Sequence, residues 1–268
     1  MDSVAKSRQL RRDTVECIGS IGVGHFGGAL SIVDILTILY YKVMNIDPKN
    51  PKMEGRDRFV LSKGHGGPAV YSVLADKGYF PKSELATLNR LGTNLPSHCD
   101  MLLTPGVDMT AGSLGQGFSC AVGIALGSKI KKEDSHVYTI IGDGESQEGI
   151  IWEAAMYAAH KKLDNLIAFC DYNKYQIDGS TDEINSLGDL AAKWRSFGWD
   201  THEIDGHDHD AILQVIDKCK ATKGRPHMVI AHTIKGKGVS FIEAAGATNH
   251  NMPISNEQLA AALAELTD

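Results

Sequence analysis

The sequence predicts an α/β fold, a mostly parallel sheet with helices on both faces. Short apolar runs recur along it as strands, among them "VYTII" (137–141), "LIAFCD" (166–171) and "HMVIAH" (227–232). Each is followed by a stretch with helical spacing rather than by a hairpin turn. The runs are apolar throughout instead of alternating, as strands covered on both faces are. With 268 residues, no repeat and no Pro/Ser-rich linker, a single domain over 1–268 is expected.

The elements follow in order. Residues 3–19 form a polar-rich amphipathic helix, an N-terminal helical extension to the domain. Residues 28–44, "GALSIVDILTILYYKVM", form a more apolar, buried helix. A loop over 47–57 leads into the short strand "RFVLS", and helices follow at 67–77, 82–89 and 116–131. Strand 137–141, helix 146–161, strand 166–171, helix 188–197 and strand 199–204 then alternate. Helix 209–221, strand 227–232 and helix 255–266 complete the pattern. In "DGHDHDAI" (205–212) Gly206 turns the chain and Asp208 caps the next helix; a metal cluster of His207, Asp208 and His209 is the less favoured reading.

Composition excludes several function classes. The formal net charge is −6 and no Lys/Arg run resembles a nucleic-acid or lipid surface. Five cysteines, odd in number and without CxxC spacing, fit reduced thiols better than a disulfide framework or a zinc site. No leader-like apolar region opens the chain, and no stretch is expected to span a membrane. A cytoplasmic protein with neither nucleic-acid nor membrane partner is the expectation.

Chemistry is written at the strand ends. "GDGESQEG" (142–149) ends one strand, and "DYNKYQIDG" (171–179) ends the next. Asn173 lies 30 positions after Asp143, which suits a strand–helix–strand crossover that brings both to one crevice. Asp143 offers a carboxylate oxygen, Asn173 an amide oxygen and Tyr175 a backbone carbonyl. Three oxygen ligands leave room on Mg²⁺ for phosphate oxygens and water. Gly142 and Gly144 let the backbone approach a ligand, and the following helix start favours an anion. Four of the eleven histidines, His25, His65, His98 and His250, lie in glycine-rich or polar loops. Neutral imidazoles there suit proton exchange with a polyhydroxylated substrate.

These motifs resemble transketolase along nearly the whole chain. "GHFGGALSIVDIL", "DRFVLSKGHGGPAVYSVL", "TPGVDMTAGSLGQGFSCAVGIALG", "GDGESQEGIIWEAA", "DYNKYQIDG" and "HTIKGKGVSF" carry the resemblance. It implies the diphosphate-binding (PP-type) domain of a thiamine-diphosphate enzyme. It further implies that Asp143, Asn173 and the Tyr175 carbonyl hold Mg²⁺ or Ca²⁺. By the same resemblance, His65, Gly144 and His250 meet the diphosphate of thiamine diphosphate, with Lys235 nearby. Gly112 and Leu114 border the aminopyrimidine, and Ile177 packs near the thiazolium. His25, His98 and His250 face a ketose donor, with His65 close by; Glu148 lies near a subunit contact. Three departures weaken the substrate assignment rather than the cofactor: Phe26 and Cys99 replace prolines, and "ATNHNMP" is looser than the usual tail motif.

A transketolase polypeptide is more than twice this long. The resemblance therefore implies the N-terminal subunit of a split enzyme that moves a two-carbon ketol unit from a ketose to an aldose. The expected partner is a C-terminal subunit carrying the pyrimidine-binding domain and its activating glutamate, in an α2β2 assembly. Two other readings fit part of the pattern. An α subunit of a 2-oxo acid dehydrogenase shares the GDG…N motif, but four loop histidines suit a sugar better. A non-catalytic regulatory subunit would not be expected to keep the Asp143/Asn173 pair.

Overall fold

The computed structural model describes residues 2–267. Helix α1 (Ser3–Gly19) starts where the Asp2 carboxylate accepts the Val4 and Ala5 amides, and it buries Leu10, Val15 and Ile18. A two-residue strand, β1 (Val23–Gly24), precedes α2 (Phe26–Leu30) and α3 (Val33–Ile38). The helix expected over 28–44 is thus broken, and it ends in a π turn over Leu39–Val43. The break follows from Ser31, whose hydroxyl bonds the Gly28 carbonyl and the Asp171 carboxylate. Contrary to the expectation that nothing here is long enough to span a membrane, Phe26–Val43 is by length and composition, with mean hydropathy 1.4. In this fold 83% of that segment is buried as a core element.

Strand β2 (Arg58–Leu61) leads through "SKGHGG" to α4 (Gly67–Lys77), which stops at Gly78 with φ 89°. The segment expected as helix 82–89 is a 3₁₀ turn, Lys82–Thr87, because Leu88 is extended and Asn89 turns left-handed. Helix α5 (Gln116–Lys131), β3 (Val137–Gly142), α6 (Gly149–His160) and β4 (Leu166–Tyr172) come next; the first turn expected of α6 is a separate 3₁₀ turn, Gly144–Gln147. An unexpected short helix, α7 (Thr181–Asn185), is capped by Ser180. Then follow α8 (Leu190–Ser196), β5 (Asp200–Asp205), α9 (His209–Ala221) and β6 (His227–His232). The chain continues through α10 (Ser240–Ala244), β7 (Met252–Pro253) and α11 (Asn256–Glu265), the last opened by a Ser255/Gln258 capping box.

Strands β2 to β6 form one parallel sheet in the order β2-β3-β4-β6-β5. Side chains alternate across it. Tyr138, Ile140, Phe169 and Val229 join a core with α1, α3, α4 and α9. Val137, Ile141, Ala168 and Met228 join another with α5, α6 and α8 around Phe118, Trp194 and Trp199. The sheet is therefore parallel and covered on both faces. A separate pairing, Val23↔Pro253 and Gly24↔Met252, ties β1 to β7. It fastens the loop of His25 beside the loop of His250.

Candidate active site

A cavity of about 370 Å³ opens at the carboxyl ends of the strands, within the size range of small-molecule sites. Every residue assigned a site role from the sequence lines it: His25, His65, His98, Gly112, Leu114, Gly142, Asp143, Gly144, Asn173, Tyr175, Ile177, Lys235 and His250. Glu148 lines it as well, beside Gln147, Gln176 and Asp178, which drew no attention in the sequence.

The oxygen donors meet because β3 and β4 are neighbours, with Gly142 paired to Asp171. Asp143 is 2% exposed, and its two carboxylate oxygens accept the amides of Gly144 (2.7 Å) and Lys174 (2.5 Å). The chain around Asn173 thus folds directly over Asp143. Burial, reinforced by the negative charge of Asp171, pushes the Asp143 carboxyl up to about 7. Among the described residues its only hydrogen bonds come from amides, with the Lys63 charge acting on it from a distance. Asn173 Oδ1 accepts the Tyr175 amide at 3.1 Å, and the Tyr175 carbonyl accepts from Lys235 Nζ at 3.4 Å. Each of these oxygens keeps a second lone pair. One carboxylate, one amide and one carbonyl suit a hard cation such as Mg²⁺ or Ca²⁺.

Beneath this layer lie three charged side chains that sequence reasoning passed over. Asp171 is fully buried and takes Lys63 Nζ at 2.5 Å, which holds its carboxyl below the usual range despite burial. Glu145 accepts from Ser62 Oγ, the Gly115 amide and the Gly142 amide. It pins the ends of β2 and β3 to the start of α5. Gly115, with φ 82°, makes that approach, and a side chain there would strike Ile150 at 2.3 Å. Lys63 stands in "SKGHGG" and Asp171 in "DYNK". Their pairing follows from the sheet order, which no local spacing reveals.

The four loop histidines converge. His25 lies 5.4 Å from His65, 5.7 Å from His98 and 5.4 Å from His250, centroid to centroid, and His65 lies 4.9 Å from His250. Burial lowers all four, reinforced at His25, His65 and His250 by nearby lysines, to about 4 for His25 and about 3 for His250. They are neutral imidazoles at pH 7. Lys235 Nζ donates to His250 Nδ1 at 3.3 Å, which leaves Nε2–H as the donor of that ring. Burial and Lys63 lower Lys235 to about 8, so it remains mostly cationic.

"DGHDHDAI" is no metal cluster. Asp208 caps α9 by accepting the Asp210 and Ala211 amides. His207 Nδ1 and His209 Nε2 instead meet the buried Asp34 of α3 at 2.7 and 2.9 Å, and Arg11 joins the same carboxylate. The Ile234 amide donates to His207 Nε2, tying this group to the loop of Lys235.

The site thus combines an oxygen-donor set, a lysine and a shell of neutral imidazoles. Comparison with known proteins agrees with that inventory. A family model described as "Transketolase, thiamine diphosphate binding domain" matches residues 1–267. A 6-deoxy-6-sulfo-D-fructose transketolase subunit of Clostridium sp. (strain MSTE9) is 56% identical over 266 residues, 99% of this chain and 96% of that protein. A subunit of the apulose-4-phosphate transketolase of Phocaeicola vulgatus is 40% identical over 98% of this chain and 93% of that one. The solved transketolase from Leishmania mexicana superposes with a TM-score of 0.92 at 30% identity. This chain covers 41% of that structure's chain.

Proposed function

The chain belongs to the transketolase family, as a subunit built on the thiamine diphosphate-binding domain, and from that premise we propose how its cavity works and on what. Family membership removes the 2-oxo acid dehydrogenase reading. Asp143, Asn173 and the Tyr175 carbonyl would hold Mg²⁺ or Ca²⁺. His65, Gly142, Gly144, Lys235 and His250 would take the diphosphate, Gly112 and Leu114 the aminopyrimidine, and Ile177 the thiazolium side. When bound, thiamine diphosphate supplies the electron sink that lets the carbon–carbon bond beside a ketose carbonyl break.

The chain's own part is to orient the ketose and carry its protons. Neutral imidazoles at His25 and His98 each offer one N–H donor and one acceptor to sugar hydroxyls. His250 gives from Nε2, since Nδ1 already accepts from Lys235. The single observation that carries this reading is the convergence of four acid-free histidines on the crevice of Asp143 and Asn173.

For the donor we infer a 6-deoxy-6-sulfo ketose, supported by the relative at 56% identity over nearly its whole length. Loss of carbons 1 and 2 from that sugar leaves a four-carbon aldose still bearing the sulfonate, while the ketol unit lengthens an aldose acceptor. The far end of the sugar would be held by a partner subunit carrying the pyrimidine-binding domain and its glutamate, two copies of each chain assembling in the cytoplasm.

Purified with its partner, thiamine diphosphate and Mg²⁺, the complex is expected to convert 6-deoxy-6-sulfo-D-fructose faster than D-fructose 6-phosphate, with glyceraldehyde 3-phosphate as acceptor. Preference for the phosphorylated donor overturns the substrate. Asp143→Ala is expected to abolish metal-dependent cofactor binding, and unchanged affinity overturns the cation assignment. Full turnover by this chain alone overturns the need for a partner.

A further inference from the structure

We propose that Asp171 is a positioning residue for the cation site, which sets the outward face of the Asn173 amide and dictates that residue 173 be asparagine rather than aspartate. The inference rests on the reading of Asp143 and Asn173 as cation ligands. Asp171 is the residue of β4 paired with Gly142, one step from Asp143, and is itself a carboxylate. It nevertheless contributes nothing to the cavity lining.

Its carboxylate is engaged by four side-chain donors. Oδ2 accepts Lys63 Nζ at 2.5 Å, Ser31 Oγ at 2.8 Å and Asn173 Nδ2 at 2.9 Å, while Oδ1 accepts Thr233 Oγ1 at 2.5 Å. Three donors thus crowd Oδ2 and one meets Oδ1, and the group is completely buried. Lys63 also balances its charge. The acid nearest to Asp143 is thus withdrawn from ligation by burial and its ion pair, and Asp143 is the carboxylate left beside Asn173 at these two strand ends.

The same contacts orient Asn173. Its side-chain nitrogen must be the atom facing Asp171, since two acceptors would repel there. Oδ1 is then turned away, where it accepts the Tyr175 amide at 3.1 Å with one lone pair still unused. Residues 171 and 173, two apart on an extended chain, point to one side, so the contact is built into the backbone. An aspartate at 173 would set one carboxylate against another. Supporting groups of this kind commonly change metal affinity 10- to 100-fold.

The test uses the partner-bound complex and titrates Mg²⁺ calorimetrically at saturating thiamine diphosphate. Asn173→Asp is expected to weaken Mg²⁺ at least about tenfold although it adds a negative charge, and the exchanged pair D171N/N173D to restore affinity to within about threefold. Ser31→Ala and Thr233→Val, which remove other donors to Asp171, are expected to lower the melting temperature and leave Mg²⁺ affinity within about twofold. The proposal falls if Asn173→Asp binds Mg²⁺ as well as the unaltered protein, or if the exchanged pair is no better than Asn173→Asp. It also falls if Ser31→Ala and Thr233→Val weaken Mg²⁺ as strongly. Asp143→Ala separates the two readings: unchanged Mg²⁺ affinity there overturns the cation site itself, whereas its loss with a failed exchange overturns Asp171 alone.

Discussion

His25, His65, His98 and His250 gather in the cavity, while His207 and His209 gather around Asp34 behind the loop of Lys235. The first group has no hydrogen bond to any carboxylate among the described residues. The second hangs on one carboxylate that also holds Arg11. Burial alone therefore does not separate the two groups of histidines. An acid partner fixes an imidazole as part of the frame; where the acid is missing, the ring's hydrogen-bonding atoms are left for a ligand.

The sharpest way to break this contrast is His25→Ala. Turnover by the complex is expected to fall about 10²- to 10⁴-fold, the usual worth of a general acid–base group. Stability should hardly change, and a variant that keeps more than about a tenth of its turnover would place His25 outside the chemistry. Asp34→Ala should do the opposite. It strands the Arg11 guanidinium, and denaturant unfolding is expected to show a loss of about 3–5 kcal/mol. Turnover of the molecules that remain folded should be retained.

A pH series separates the groups more finely. His25 and His250 bind protons only near 4 and 3 when folded, but near pH 6.5 when unfolded. The unfolded chain thus takes up more protons, and stability should decline as pH falls from about 6.5 toward 4. Asp34, whose carboxyl is held far below its usual value by His207, His209 and Arg11, contributes stability that is lost only as pH drops below about 4. The double variant His25→Ala/His250→Ala should flatten the upper limb alone; an unaltered limb would contradict the lowered imidazoles. Smallest of all, His232→Gln, on a half-exposed ring bonded to Glu203, should shift stability by less than about 0.5 kcal/mol.

Local signals made much of this legible. The 3–19, 67–77 and 116–131 helices stand where periodicity and glycine punctuation put them. The crossover from Asp143 to Asn173 follows from spacing and handedness alone. What stayed hidden depends on partners far away in the chain. Ser31 breaks a helix because Asp171, 140 residues on, accepts its hydroxyl. His207 looked like half of a metal site because Asp34, 173 residues earlier, cannot be seen from "DGHDHD". The 3₁₀ turn Lys82–Thr87 carries ordinary helix formers, and its geometry is set by how the chain must leave it at Leu88.

The seat of β6 between β4 and β5 also has a temporal side. During synthesis β5 emerges before the one strand it pairs with exists. Until residues 227–232 leave the ribosome, β4 presents a bare edge, the kind of surface on which nascent chains aggregate. Lys235 and His250 appear later still, and β7 must then reach back to β1 across more than 200 positions. The pocket is thus completed only late in synthesis, and chains stalled short of β6 would lack Lys235 and His250.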